Sequence, residues 1–273
     1  MPTLSPVKIR ALRRKIMAHY RKRGRDLPFR KTTDPYKITV AEIMLQQTQV
    51  DRVAPKYMAW VAKWPTWRAL ARASNRELLT MWSGLGYNRR ALNLGRMARQ
   101  IVESHGGVLP TDLQSLCDLP GIGPYTSRAI LIFAFNRPLV TIDTNIRRVL
   151  IYELGLRHDI ATSSLEQIAH QVLPKHSARD WHNALMDYGA TILTARRSGV
   201  KALSRQSRFE GSLRQIRGEI VRQLTSRNRI GFKSIAALLN RSIDEVHQAA
   251  KSLEKEGVVR LRRDTITLVS HST

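Results

Sequence analysis

The stretch Leu119-Pro-Gly-Ile-Gly-Pro-Tyr-Thr-Ser-Arg-Ala-Ile130 decides the fold of this chain. It predicts two helices joined by a tight turn, with Pro124 at the first position of the second helix. The fixed φ of proline suits that position, and its missing N–H is not needed there. Gly121 and Gly123 let the backbone of the turn approach a ligand closely, and the amides at the helix start favour an anion. The pattern therefore predicts a site for a DNA phosphate.

A single carboxylate follows the hairpin, in the segment Val140-Thr-Ile-Asp143-Thr-Asn-Ile-Arg-Arg-Val149. Asp143 lies where the next helix is predicted to begin, a position that favours aspartate simply as an N-cap. After a phosphate anchor, a positioned carboxylate also indicates chemistry on a nucleotide, and the two roles are compatible. We therefore take Asp143 as the first candidate catalytic residue.

The charge of the chain indicates a polyanionic partner. Its 273 residues include 46 Lys and Arg against 21 Asp and Glu, which gives a formal net charge of +25. General solubility does not require so large an excess, although ribosomal and chromatin proteins are equally basic. No apolar run is long enough to span a bilayer, and the first residues lack the hydrophobic region of a signal peptide. We expect a cytoplasmic, nucleoid-associated protein that binds double-stranded DNA.

Periodicity divides the chain into two predicted domains. Residues 1–208 contain successive helical stretches, one of them over 67–81, and almost no strand signal, so this domain is predicted to be all-α. Residues 209–273 have a different character. Their predicted elements are helices over 213–224, 233–239 and 243–256 and a β-hairpin over 258–269. Three helices and a hairpin are typical of a small winged helix-turn-helix domain.

The third helix of this second domain is acidic for a helix that reads DNA. Winged-helix domains commonly place that helix in a DNA groove, but here it contains Asp244, Glu245, Glu254 and Glu256. The sequence leaves open whether the domain contacts DNA or docks on the first domain or on a partner.

Further motifs give the chain a family resemblance. They are Asp34-Pro-Tyr36, Ala41-Glu-Ile-Met-Leu-Gln-Gln-Thr-Gln-Val50, Met81-Trp-Ser-Gly-Leu-Gly-Tyr-Asn-Arg-Arg-Ala91 and Met186-Asp-Tyr-Gly-Ala190. With the hairpin and Asp143, they resemble the helix-hairpin-helix DNA glycosylases of base excision DNA repair, the superfamily of endonuclease III and MutY, and MutY most closely. The resemblance covers roughly the first two thirds of the chain. It implies a helix-hairpin-helix glycosylase domain ahead of the winged helix.

The resemblance assigns roles to two carboxylates. Cleaving an N-glycosidic bond builds positive charge on the sugar, so the enzyme needs an anion near C1′ and a proton donor for the departing base. Asp143 would supply the anion. Glu42 would protonate the base, because burial in its apolar helical stretch would raise its pKa. A surface glutamate paired with one of the many arginines is the alternative for Glu42.

The resemblance also predicts residues that handle the DNA stack. Flipping a base leaves a gap that planar side chains can fill. Gln46 or Gln47 would enter the vacated stack, and Tyr87 would act as a wedge beside the opposite base. The arginines predicted to contact phosphates are Arg89, Arg90, Arg147 and Arg148.

Tyr125 departs from the endonuclease III pattern, which has a lysine at this hairpin position. A lysine amine attacks C1′ and permits strand cleavage through a Schiff base, whereas a tyrosine cannot form the imine. We therefore predict a monofunctional glycosylase without efficient β-lyase activity. The ring of Tyr125 would wall the base pocket or pack between the hairpin helices.

The cysteine content predicts that the iron–sulfur cluster of the family is absent. A [4Fe–4S] cluster normally needs four thiolates, and the chain has a single cysteine, Cys117, which we interpret as a small buried hydrophobe. Leu193 lies where the first cluster ligand is expected. The eight histidines show no metal-ligand spacing, so no metal and no cofactor are predicted.

Three functions remain open at the level of sequence. The segment from Glu42 to Gln49 favours removal of adenine opposite guanine or 8-oxoguanine. Tyr125, the missing cluster and the lack of a recognisable Nudix-like domain favour removal of uracil or thymine opposite guanine. The third is a non-catalytic DNA-binding protein, against which the presence of both Asp143 and Glu42 argues. We expect a monomer.

Overall fold

The structure is mainly helical, as predicted from the sequence. It is a computed structural model that describes residues 3–200 and 209–269. These residues form two compact units, each assembled from separated parts of the chain. The first unit comprises residues 3–38, 111–117 and 122–200, and the second comprises residues 39–110, 118–121 and 209–269.

Helices dominate residues 3–200. In chain order they are α1 (Pro6–Arg23), α2 (Pro35–Leu45), α3 (Val50–Lys63), α4 (Trp67–Ala71), α5 (Asn75–Trp82), α6 (Arg89–His105), α7 (Leu113–Cys117), α8 (Pro124–Phe135), α9 (Thr144–Leu154), α10 (Thr162–Val172), α11 (Ala178–Thr191) and α12 (Ala195–Ser198). The helix predicted over 67–81 is in fact two helices, α4 and α5. The second starts afresh because Ser74 and Glu77 form a capping box, in which each side chain accepts from the other's backbone N–H.

The core of the first unit lies among α1, α9, α10 and α11. Its largest member, Trp181 of α11, packs with Ile16 of α1 and Leu150 of α9, and all three are fully buried. Close approach between α9 and α11 requires Gly189, since a Cβ at this position would lie 2.8 Å from the Asn145 Cβ and carbonyl oxygen. This packing positions the start of α9, where Asp143 lies.

Residues 209–269 contain the predicted winged-helix elements. They are α13 (Leu213–Ser226), β1 (Arg229–Gly231), α14 (Phe232–Leu239), α15 (Ile243–Lys255), β2 (Val259–Arg262) and β3 (Thr265–Leu268). The strands form an antiparallel sheet in the order β1-β3-β2, in which Ile230 pairs with Ile266. Strand β1 was not predicted, because three residues are too few to show an alternating pattern.

The winged-helix elements pack on α5, and both belong to the second unit. At the end of α13, Arg76 of α5 donates to the carbonyl oxygens of Leu224 and Thr225 at 2.7 and 3.0 Å. Carbonyls at a helix C-terminus lack partners within the helix, so this guanidinium acts as a cap. Asn75 donates to the Val269 carbonyl at 2.7 Å, after the last strand. The compact units thus cut across residue 208, and the domain boundary proposed there stays a prediction.

A buried ion pair network stabilises the first unit. The Asp187 carboxylate on α11 is fully buried and accepts from the Arg30 guanidinium at 2.7 and 2.8 Å. Arg25 adds its side-chain Nε at 2.6 Å and its backbone N–H at 2.9 Å. Burial alone raises the pKa of Asp187, but the hydrogen bonds and charges of Arg30 and Arg25 outweigh it and hold that pKa below its usual value.

We expect Asp187→Asn to lower the free energy of unfolding by about 3–5 kcal/mol, since it leaves buried cations without their anion. Because the folded-state pKa of Asp187 is lowered, its carboxylate stabilises the protein fully at pH values above its unfolded-state pKa of about 3.9. This stabilisation is lost as the pH falls through the folded-state pKa. Urea unfolding at neutral and acidic pH measures both effects. The control is Asp26→Asn, which breaks an exposed ion pair with Lys31 and is expected to change stability little. Equal effects of the two variants would contradict the prediction.

Candidate active site

The turn of the hairpin lies between α7 and α8, as predicted. Gly121 has φ +86°, and a Cβ there would lie 2.9 Å from the Asn93 side-chain nitrogen, so a larger residue meets both strain and a clash. Gly123 is the N-cap of α8 and Pro124 its first residue. A Cβ at Gly123 would have no heavy atom within 4 Å, which leaves the start of α8 open to an approaching phosphate.

Asp143 is the N-cap of α9, as predicted, and its carboxylate is held from both sides. One oxygen accepts from the Ile146 backbone N–H at 2.7 Å, and the other accepts from the Asn145 side chain at 3.0 Å. Burial raises the pKa of Asp143, while these hydrogen bonds and the charge of Arg148 oppose the increase without cancelling it. A reaction that needs the ionised carboxylate therefore fails as the pH falls through this raised pKa.

Arg147 and Arg148 lie on the first turn of α9 and differ in exposure. Arg148 is buried, and its guanidinium donates to the Asn145 side-chain oxygen at 3.2 Å and to the Gly189 carbonyl at 3.1 Å. Arg147 is partly exposed and donates to the His158 carbonyl. The predicted phosphate contact does not fit Arg148, because the side chain is buried and its Nη1 donates to protein acceptors on α9 and α11.

Glu42 and Tyr125 belong to different compact units and are described separately. Glu42 is partly buried on α2, beside the buried residues Ala41, Ile43 and Met44. Its neighbours along the helix are thus buried, and its role as an acid stays a prediction. Tyr125 is the second residue of α8 and is 39% exposed. Much of its ring is accessible, which fits a wall of a binding surface better than packing between the hairpin helices.

Two loops of the second unit carry the residues predicted to enter the DNA stack. We call them the glutamine loop (residues 46–49) and the tyrosine loop (residues 83–88). Gln47 and Tyr87 have positive φ values of 54° and 48°, a conformation that costs free energy for residues other than glycine. Both side chains are exposed. Together with Gln46, they line a cavity of about 250 Å³. The structure thus brings the three predicted residues together.

Arg90 joins these two loops. Its side chain is buried on α6, where 8% of the residue is exposed. Its two terminal nitrogens donate six hydrogen bonds of 2.7 to 3.2 Å, and the acceptors are the carbonyl oxygens of Ile43, Met44, Gln46, Leu85 and Gly86 and the hydroxyl of Thr48. The guanidinium also lies over the rings of Trp82 and Tyr87, at 5.1 and 5.5 Å from their centroids.

Arg90 therefore positions loops rather than contacting phosphate as predicted, because its terminal nitrogens are engaged inside the protein. Burial lowers its pKa to about 10, so it stays charged at neutral pH. Its neighbour Arg89 is exposed and remains a candidate for the phosphate contact. Arg90 shares one face of α6 with the buried residues Leu94, Met97 and Ile101, and this helical spacing is the signal that indicates burial.

Comparison with known proteins identifies the family. Residues 40–175 match the HhH-GPD superfamily of base excision DNA repair proteins. The chain is 37% identical over 240 residues to the adenine DNA glycosylase of Mycolicibacterium smegmatis, and the match covers 80% of each chain. This protein belongs to the HhH-GPD superfamily. It is therefore a DNA-binding protein of base excision repair with DNA N-glycosylase activity, as the sequence predicts.

Solved HhH-GPD structures share the fold. A thermostable thymine-DNA glycosylase aligns with a TM-score of 0.64 and 28% identity, over 70% of this chain and 90% of that one. An endonuclease III trapped covalently on DNA aligns with a TM-score of 0.61 and 21% identity, over 75% of this chain and 92% of that one. The second likeness supports the fold alone. Among the described helices of this HhH-GPD protein, none is both long and apolar enough to cross a membrane.

The residues of this HhH-GPD protein do not fit the [4Fe–4S] cluster that the family resemblance implies. Four thiolates are needed, and the chain has only Cys117, whose Sγ lies 3.3 Å from the Ser127 hydroxyl within the hairpin. Leu193 is buried in the apolar core of the first unit. Within the described ranges, no three His, Cys, Asp or Glu side chains gather as metal ligands do. That the protein works without a cofactor stays a prediction.

We expect Arg90→Lys to slow base excision at least about tenfold, because a single ammonium keeps the charge but cannot bridge both loops as the planar guanidinium does. Single-turnover excision at saturating enzyme measures the effect, and thermal unfolding reports any loss of stability. Arg89→Lys, at the exposed neighbouring position, is the matched control and is expected to retain most of the rate. Full activity of Arg90→Lys would show that the loops do not need this bridge.

Proposed function

We propose that this protein removes adenine mispaired with guanine or 8-oxoguanine, as a monofunctional and monomeric glycosylase that acts at the nucleoid. The observation that carries the proposal is the 37% identity to an adenine DNA glycosylase over 80% of both chains. The segment from Glu42 to Gln49 lies inside the matched family region and supplies both a candidate acid and the glutamine loop.

The chemistry assigned to Asp143 follows from its setting. As the C1′–N9 bond breaks, the electron pair leaves with adenine and positive charge develops on the deoxyribose. The carboxylate of Asp143, fixed by Ile146 and Asn145, stabilises that charge without having to reorient. Water then adds its oxygen to C1′ and gives one proton to solvent, which balances the proton that the departing base takes from the acid, so the products are free adenine and an abasic site.

Glu42 is proposed as the acid that protonates the departing base. Its helix α2 is largely buried around it, and a carboxyl group fixed on such a helix is a common proton donor to a leaving group. Gln46, Gln47 and Tyr87 then stabilise the gap left in the duplex, and Gly121, Gly123, Arg89 and Arg147 contact phosphates. Each of these roles comes from the family resemblance and is assigned to the matching residue of this chain.

A second candidate function is removal of thymine or uracil opposite guanine. Tyr125 favours it, together with the 28% identity to a thymine-DNA glycosylase of known structure. We rank it below adenine removal because that match is weaker in identity and covers 70% of this chain, against 80% for the adenine enzyme.

Labelled duplexes containing A·G, A·8-oxoguanine, U·G and T·G distinguish the candidates, with strand breaks scored before and after hot alkali. We expect alkali-dependent breaks at adenine alone. In Asp143→Asn the excision rate should fall on the order of 10²- to 10³-fold, since the anion that stabilises the sugar is lost. Breaks at uracil or thymine would support the second candidate. Breaks at none of the four would leave adenine removal without support.

Tyr125 provides a separate test of the monofunctional mechanism. We expect borohydride to trap no covalent complex between the wild-type protein and an abasic product, because no amine stands at this position. Tyr125→Lys is expected to gain a trapped complex, since an accessible amine can condense with C1′, lose water and be reduced. Tyr125→Phe controls for the loss of the hydroxyl and should trap nothing. A trapped wild-type complex would contradict the prediction.

A further inference from the structure

A second cavity of the second unit lies between the two loops and the winged-helix elements. Its volume is about 330 Å³, within the range of small-molecule sites. Gln47 and Tyr87 form part of one side, while Phe209 and helix α13 form the other. We call this cavity the α13 crevice. It shares Gln47 and Tyr87 with the smaller cavity described above, so it is continuous with the loops that are proposed to enter the DNA stack.

The α13 crevice offers aromatic rings to a ligand. Phe209 is 56% exposed and Tyr87 is 41% exposed, although both are large and apolar. Exposed aromatic rings beside a basic surface are the usual means of holding unpaired nucleobases, because a base of any type can stack on them. These two rings belong to segments far apart in the sequence that the fold brings to one cavity.

The charge of the α13 crevice suits a phosphodiester. Four arginines line it, Arg52, Arg214, Arg217 and Arg222, and no acidic side chain does so among the described residues. Arg217 is paired with Glu256 and Arg222 with Glu219. Arg52 donates to the Gly84 carbonyl at 2.6 Å, a neutral acceptor that does not offset its charge. The crevice is therefore complementary to an anion that carries a planar group.

Gly218 adds an independent observation. It lies in the interior of α13 and lines the crevice. Glycine is less favourable than alanine in a helix interior, and a Cβ at Gly218 would meet no heavy atom within 4 Å. Packing within the described protein therefore does not demand glycine here, whereas a ligand seated against α13 would.

We propose that the α13 crevice is a second nucleotide-binding site, which takes the unpaired base of the strand opposite the excised nucleotide. The proposal rests on the proposed function only in assuming that one base is flipped from a duplex. Flipping leaves its partner base without a pair, beside the tyrosine loop that lines the crevice. The winged-helix domain then contributes to DNA recognition through α13 and Phe209, while the acidic helix α15 need not enter a groove.

The test measures binding rather than excision, with the full chain carrying Asp143→Asn. Fluorescence anisotropy compares two duplexes: a tetrahydrofuran abasic analogue opposite guanine, and the same analogue opposite a second tetrahydrofuran. We expect tighter binding when guanine is present. Gly218→Leu, which fills the crevice, should reduce that preference on the order of tenfold, the scale of one base–aromatic stack. Gly218→Ala places a smaller group against the same ligand and should reduce the preference less than Gly218→Leu does.

Phe209→Ala provides a second variant, since this exposed side chain can be shortened without disturbing a core. It should also reduce the preference, whereas Leu238→Ala, at another exposed apolar position of the same domain, should not. The proposal is overturned if the protein shows no preference for guanine, if both crevice variants keep it, or if they weaken binding to the two duplexes equally. Because no base is excised, a failure of adenine removal in the duplex assay leaves this result unaffected.

Discussion

The arrangement of the glutamine loop and the tyrosine loop depends on one buried guanidinium. Arg90 satisfies carbonyl oxygens from the end of α2, the glutamine loop and the tyrosine loop at once. A buried cation is costly unless it is hydrogen-bonded, and the Arg90 Nε has no partner among the described residues, so each acceptor of the terminal nitrogens that moves away leaves the charge less satisfied. This requirement couples two loops that are separate in sequence. It also explains how Gln47 and Tyr87 are kept in left-handed conformations, which neither residue favours by itself.

The candidate catalytic carboxylate of Asp143, at the start of α9, is likewise held in place by hydrogen bonds. The hydrogen bond from the Ile146 backbone N–H that holds Asp143 also caps the helix, so the structural role of this group and its proposed chemical role cannot be separated by simple truncation. Arg148 and the close approach at Gly189 fix the helix behind it. The carboxylate thus has a set orientation and a pKa raised by burial, and preorganisation of this kind is what stabilisation of a developing positive charge requires.

Local signals in the sequence were sufficient for much of this architecture. The Gly-x-Gly turn before Pro124 and the aspartate before a helix are read within a few residues, because capping and turn chemistry act at short range. The helices and hairpin of the winged-helix elements followed from periodicity for the same reason.

Features that depend on distant partners could not be predicted in this way. Strand β1 exists only through pairing with β3. The helical spacing of Arg90 indicates that it is buried, but the acceptors of Arg90 and Arg148 cannot be read from the sequence, because most of them are backbone carbonyls, which any sequence supplies. The packing of α13 on α5 could not be predicted for the same reason. It depends on hydrogen bonds from Arg76 to backbone carbonyl oxygens at the end of α13.

The contact between Arg76 and the end of α13 limits when the second unit can close during synthesis. Helix α5 ends where the tyrosine loop begins. Residues 209–269, which pack on α5, are added by the ribosome well after α5 has been synthesised. The second unit is therefore closed by long-range contacts that form late, whereas the segments of the first unit are all synthesised by residue 200. The ribosome has added α9, with Asp143 at its N-cap, before it adds α13, which forms one wall of the crevice. Closure of the second unit is thus tied to synthesis through residue 269.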